Sequence, residues 1–139
     1  MCVEQMTTRC SSARIESLGF VEEFHLVFNR RGTYRDGGVA SIVPQNKRRV
    51  YGVIWELSDS DMGRLDAIED PVAYERETVK VTELSDSTTL KCETYIAFPQ
   101  GTFSPDQAYL EIIISAAKYH VFPTDYIFEL ERFRTRTRA

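Results

Sequence analysis

The chain has 139 residues, a formal net charge of −4 and 42% hydrophobic residues. That length suits one domain able to bury a core without metal or disulfide support. The charge balance gives no basis for partnership with nucleic acid or an anionic membrane, and no apolar run approaches the ~18–20 residues needed to cross a bilayer. Cys2, Cys10 and Cys92 are odd in number and widely spaced, which fits reduced thiols. The start MCVEQMTTRC lacks the basic-then-apolar layout of a signal peptide, so a cytoplasmic location is expected. His25 and His120 stand far apart with no Cys or His at ligand spacing, and no metal or other cofactor is expected.

Residues 3–13 read as a short helix closed by Ser11, Ser12 and Ala13. FVEEFHLVFN (20–29) carries Phe24, Leu26 and Phe28 at period two, the signature of a strand. NRRGTYRDGG (29–38) is a glycine-bearing loop, with Gly37-Gly38 expected to serve a turn or a close backbone approach. GVASIVP (38–44) and RVYGVIWEL (49–57) read as two strands parted by the polar turn QNKR. In the second, Val50, Gly52, Ile54 and Glu56 face one way, and Tyr51, Val53, Trp55 and Leu57 the other.

Ser58 offers a helix N-cap with Asp61 three positions on, a variant of the capping box. The helix should run to Ile68 or Glu69, because Pro71 forces the residue before it out of the helical region. YERETVKVTEL (74–84) and TLKCETYIAF (89–98) read as a hairpin around SDST. In FSPDQ (103–107), Ser104 is the expected cap, Pro105 the first helical residue and Gln107 the closing acceptor. The helix that follows, 105–120, carries Leu110, Ile113, Ile114 and Ala117 on one face, and a last short helix follows Phe122-Pro123-Thr124. Residues 1–131 thus form one domain, and the arginines at 132, 134, 136 and 138 belong to a solvated basic tail, 132–139. Five strands and two strong helices without βαβ alternation define an α+β class built on an antiparallel or mixed sheet.

The familiar nucleophile and phosphate motifs are absent: no G-x-S-x-G, no P-loop, no G-x-G-x-x-G after a strand. What stands out is RLDAIED (64–70), three carboxylates at the end of a helix, where the macrodipole least favours them. On a wheel of ~100° per residue with Met62 at zero, Leu65 falls near −60°, Ile68 near −120° and Glu69 near −20°, inside the apolar arc. Asp66 and Asp70 fall at about 40° and 80°, toward the edge of that arc and solvent. A carboxylate held against apolar walls has its charged form disfavoured and its pKa raised toward the range useful for proton transfer. The alternative is a helix that unwinds at Ile68 and turns Glu69 to water. Tyr74, Tyr95 and Tyr109 lie in neighbouring elements, each able to line a polar pocket or simply to half-bury in its own element.

RCSSARIESLGFVEEFHLVFNRR, GGVASIVPQ, VYGVIWELSDSDMGRLDAIED, YERETVKV, TYIAF and SPDQAYLEIIISAA with FPTDY resemble, in order and spacing, the γ-glutamyl cyclotransferase-like (AIG2-like) family. The resemblance implies a small mixed β-barrel with peripheral helices that releases 5-oxoproline from γ-glutamyl peptides or amines without a cofactor. It matches the family's L-D-x-x-E-G acid to Glu69, with Asp70 where the family has glycine, and matches Tyr109 and Tyr74 to tyrosines near the pocket; Tyr95 is a third substrate-binding candidate. Family members begin with an apolar strand ending in a Tyr-Gly-Ser-Asn loop that holds the γ-glutamyl group. Met1 aligns with the residue after that loop and joins the substrate-binding candidates, so the first strand is expected to be missing from this chain. The expectation is either an upstream start or a shortened member, with an exposed sheet edge suited to a homodimer. The second functional reading is a catalytically impaired or non-enzymatic small-molecule-binding domain of the same fold.

Overall fold

A computed structural model describes Met6, residues 9–32, 37–68, 73–133 and residue 135. The elements are β1 (Arg14–Arg31), β2 (Gly38–Glu56), α1 (Asp59–Ile68), β3 (Tyr74–Glu83), β4 (Thr89–Ala97), α2 (Gln107–Tyr119) and α3 (Thr124–Glu131). Met6 and Arg9, within the expected first helix, are helical. No helix of the described residues is long and apolar enough to cross a membrane.

The four strands form one sheet in the order β2-β1-β3-β4, each neighbour pair antiparallel. β2 and β4 are the outer strands and share no ladder, so the expected barrel is an open, curled sheet. A side-chain link spans that gap: Ala97 N–H donates to Ser41 Oγ at 2.9 Å.

Four strands replace the five expected because QNKR is not a turn. Glu22 pairs with Arg49 and Phe24 with Pro44, leaving residues 45–48 opposite Glu23 alone. Glu23 and Lys47 take left-handed backbone angles (φ 64° and 63°), and Glu23 Oε2 accepts the Lys47 N–H at 3.1 Å. The polar cluster is therefore a bulge inside one long strand, which bends it and increases its twist.

The alternation of β2 divides the core as its sequence indicates. Ile54 packs with Val21 and Val81, with Val50, Phe24 and Cys92 around them. Tyr51 packs the other way, under Ala117 of α2 and Phe122, Tyr126 and Leu130 at α3. Trp55 and Leu57 meet Met6, Cys10 and Leu65, which seats α1 on the same side as Tyr51. Cys10 and Cys92 carry free thiols.

The Ser104 cap is a correction. α2 begins at Gln107 with Asp106 at the N-cap. Ser104 and Pro105 are used elsewhere: Ser104 O accepts the Gly38 N–H at 2.9 Å, and Pro105 bridges to Gly37. That close approach needs glycine. Gly37 has φ +84°, and a Cβ on it would stand 2.5 Å from Ser104 O.

Ser58 does cap α1, its Oγ accepting the Asp61 N–H at 3.1 Å. The return half of the box comes from the segment ahead of β1. Ser12 Oγ accepts the Ser58 N–H at 3.0 Å, while the buried carboxylate of Asp61 accepts the Ser12 N–H at 2.8 Å and the Ser12 hydroxyl. The Ser12 hydroxyl and backbone N–H hold the Asp61 carboxyl below its ordinary pKa, against burial, which works to raise it.

The ladder between the two hairpins, β1–β2 and β3–β4, comprises among the described residues two pairs, Gly19 with Glu83 and Phe20 with Thr82. A Cβ on Gly19 would lie 2.6 Å from Val81 Cγ1 and 2.7 Å from Thr82 O, whereas one on Gly63 in α1 would meet nothing within 4 Å. Gly19→Ala is therefore expected to cost about 1–3 kcal/mol in urea unfolding. Gly63→Ala is expected to gain about 0.5–1 kcal/mol in the same measurement. Equal effects would show that the β1–β3 crossing does not require glycine.

Because the native carboxyl of Asp61 has a lowered pKa, its stabilisation is complete above the ordinary carboxylate range and is lost as pH falls through the native value. Asp61→Asn should lower the melting temperature at neutral pH, with the difference from the parent protein shrinking below about pH 4. A difference that stays constant with pH would contradict the charge-assisted role.

Candidate functional site

α1 buries Asp61 and Leu65 and half-buries Met62 and Asp66. Ile68, expected on the apolar arc, is 48% exposed, because the side chains that meet the neighbouring segments belong to the Asp61–Leu65 ridge. Asp66 is also corrected from a simple solvent charge. Its Oδ1 accepts the phenolic O–H of Tyr95, and both its oxygens accept from Arg76 Nη1, at 3.2 and 3.0 Å. Arg76 in turn has Nε 3.8 Å from Glu93 Oε2.

Each member of this chain comes from a different place for a structural reason. Arg76 on β3 pairs directly with Tyr95 on β4, so antiparallel register sets their side chains side by side. Tyr95 packs against the Met6, Cys10 and Leu65 cluster, which brings its hydroxyl to the α1 turn carrying Asp66. Burial first, and then the hydrogen bond to Asp66, push the Tyr95 phenol well above its ordinary pKa, so it keeps its proton at neutral pH. The ion pair itself is about half exposed and adds little stability; it orients.

Tyr109, one turn into α2, accepts the Ala40 N–H of β2 on its hydroxyl at 3.0 Å and meets Phe28 edge to face, with ring centroids 6.1 Å apart. Tyr74 opens β3. The structure brings Tyr74, Tyr95 and Tyr109 together on the wall of one cavity of about 400 Å³. Its other walls are largely apolar, including Leu26, Val50 and Ile113. Arg9 also lines it and is the one charged lining residue among those described. The sequence reading passed over Arg9 because nothing in RCSSAR separates one surface arginine from another; only the docking of that segment beside the tyrosines does so.

Glu69 and Met1 lie outside the described residues, as does Asp70. Among the described residues no group of three or more His, Cys, Asp and Glu side chains could hold a metal ion. A second cavity, about 490 Å³, lies beside α3 between His25, Arg48, Glu129 and Phe133, and is lined by none of the candidate substrate-binding tyrosines. Burial first and the nearby Arg48 second lower the His25 pKa, so the imidazole there is neutral at pH 7.

With this geometry in hand, comparison with known proteins fixes the family. The model of the AIG2-like family matches residues 49–130, more than half of the chain, and the chain belongs to that family. It is 25% identical over 131 residues to a gamma-glutamylcyclotransferase of Bos taurus, covering 91% of this chain and 70% of that protein. Against the gamma-glutamylcyclotransferase of Homo sapiens the identity is 26% over 132 residues, with the same shares covered. A solved structure of a gamma-glutamyl cyclotransferase superposes with a TM-score of 0.92 at 23% identity, covering 99% of this chain and 84% of that one. The fold is therefore γ-glutamyl cyclotransferase-like, an α+β arrangement of an antiparallel sheet with packed helices.

Proposed function

We propose that the chain is a γ-glutamyl cyclotransferase, which releases 5-oxoproline from γ-glutamyl peptides or amines. The observation that carries this reading is the cavity of about 400 Å³ lined by Tyr74, Tyr95, Tyr109 and Arg9, with its remaining walls largely apolar. A cavity of that size takes a small amino-acid derivative, and a few polar groups on apolar walls fix its orientation. Arg9 suits a substrate carboxylate, since a guanidinium binds one through paired hydrogen bonds. The two mammalian relatives carry the same activity in their names.

In the proposed reaction the substrate's α-amine attacks its own γ-carbonyl carbon, and the bond from that carbon to the departing amine breaks. The nucleophile is tethered to its target, so proximity supplies much of the rate. The attacking nitrogen loses a proton and the leaving nitrogen gains one, so no water or redox partner is consumed. One carboxyl can do both, as base and then as acid. Glu69 is the carboxyl we assign, because it matches the family's acid. Tyr74 and Tyr109 would orient the substrate's polar groups.

Glu69→Gln should leave the melting temperature near that of the parent while cutting 5-oxoproline release from γ-glutamyl dipeptides by about 10²-fold or more. Near-normal kcat in Glu69→Gln would remove the proton-transfer role. A parent protein that binds γ-glutamyl dipeptides without turnover would establish a non-enzymatic binding domain instead.

A further inference from the structure

We propose that Asp66 is a positioning residue: by accepting the phenolic proton of Tyr95, it fixes Tyr95 as a hydrogen-bond acceptor toward the α-amino group of the bound substrate. This rests on the cyclotransferase reading above and adds to it the residue pair that recognises the amine.

The chemistry follows from counting protons. An ionised carboxylate only accepts, so in the Tyr95–Asp66 bond the donor is the phenol. A phenol has one proton, and here it is spent on Asp66. The Tyr95 oxygen also accepts from Arg76, so what Tyr95 has left to offer the cavity it lines is its remaining lone pair. Arg76 keeps this assignment from reversing. It donates to both oxygens of Asp66 and holds the carboxylate against rotation.

Each end of the substrate head group then has its own counterpart. A charged α-amine presents donors alone and meets an acceptor at Tyr95; a carboxylate presents acceptors alone and would be refused there. Asp66, Glu93 and Arg76 together leave one net negative charge behind Tyr95, and neither Asp66 nor Arg76 lines the cavity. Arg9 supplies the opposite sign on the cavity wall. The cavity is thus polarised to seat an α-amino acid in one direction, amine toward Tyr95 and carboxylate toward Arg9.

The test compares γ-glutamyl-alanine, as substrate, with glutaryl-alanine, which lacks only the α-amine, cannot cyclise and acts as a competitive inhibitor. KM reports binding where chemistry is slow relative to dissociation, a condition checked by single-turnover measurement. Tyr95→Phe and Asp66→Ala should each raise KM for γ-glutamyl-alanine by about tenfold, with a much smaller change in kcat, as befits loss of one hydrogen bond to a charged group. The Ki of glutaryl-alanine should stay within about twofold of the parent value, since that ligand makes no such bond. Asp66→Asn keeps an acceptor for the phenolic proton and should restore most of the lost affinity. If KM and Ki rise together, or if neither moves, the amine-recognition role is overturned while the cyclotransferase reading stands. A parent protein that neither releases 5-oxoproline nor is bound by either compound would overturn both.

Discussion

The structure depends on a crossing at which a side chain would not fit. β1 and β3 approach each other at Gly19, where a Cβ would collide with Val81 and with the carbonyl of Thr82, and a ladder of two residue pairs joins the hairpins there. Beyond that crossing β1 is committed to β2, and β3 to β4. The outer strands β2 and β4 are left on either side of a gap, and the cavity draws walls from both: Ala40, Val50 and Tyr51 from β2, Thr94 and Tyr95 from β4. A second close approach, at Gly37 and Gly38, ties the start of α2 to β2 and brings Tyr109 onto the Ala40 N–H. The site is therefore a product of two glycine-dependent backbone contacts far from it in sequence.

Within that frame, electrostatics separates residues of the same type. Asp61 and Asp66 lie on one helix, yet Asp61 is buried and serves to clamp the helix start to Ser12, while Asp66 sits at the surface and orients Tyr95. The Asp61 clamp stabilises the fold, whereas the Asp66 role requires little net stabilisation. Half-exposed ion pairs are worth little in stability, and the consequence of the Asp66–Arg76 pair lies in fixing which way a phenolic proton points.

Much of this was legible in the sequence, for reasons that differ by residue. Period-two alternation in RVYGVIWEL placed Ile54 and Tyr51 on opposite faces, because a half-buried strand leaves a strict mark. The Ser58 cap was readable because capping is local. QNKR was misread as a turn because a bulge and a turn use the same polar residues, and only the pairing of Glu22 with Arg49 and Phe24 with Pro44 tells them apart. Ser104 was misread as a cap because Gly37 and Gly38, more than sixty residues earlier, compete for its segment. Tyr74 and Tyr109 could be nominated from family resemblance and Tyr95 only from its neighbouring element, but Arg9 and the Asp66–Tyr95–Arg76 chain are long-range juxtapositions that no spacing rule encodes.

The central claim is that a γ-glutamyl head group occupies the cavity lined by Tyr74, Tyr95, Tyr109 and Arg9. Crystals of the protein soaked with 5-oxoproline test it most directly. The product should lie between Tyr74, Tyr95 and Tyr109, its carboxylate toward Arg9 and its lactam N–H toward the Tyr95 oxygen. Product seated instead beside His25 and Glu129, or a tyrosine-lined cavity left empty at saturating concentration, would contradict it.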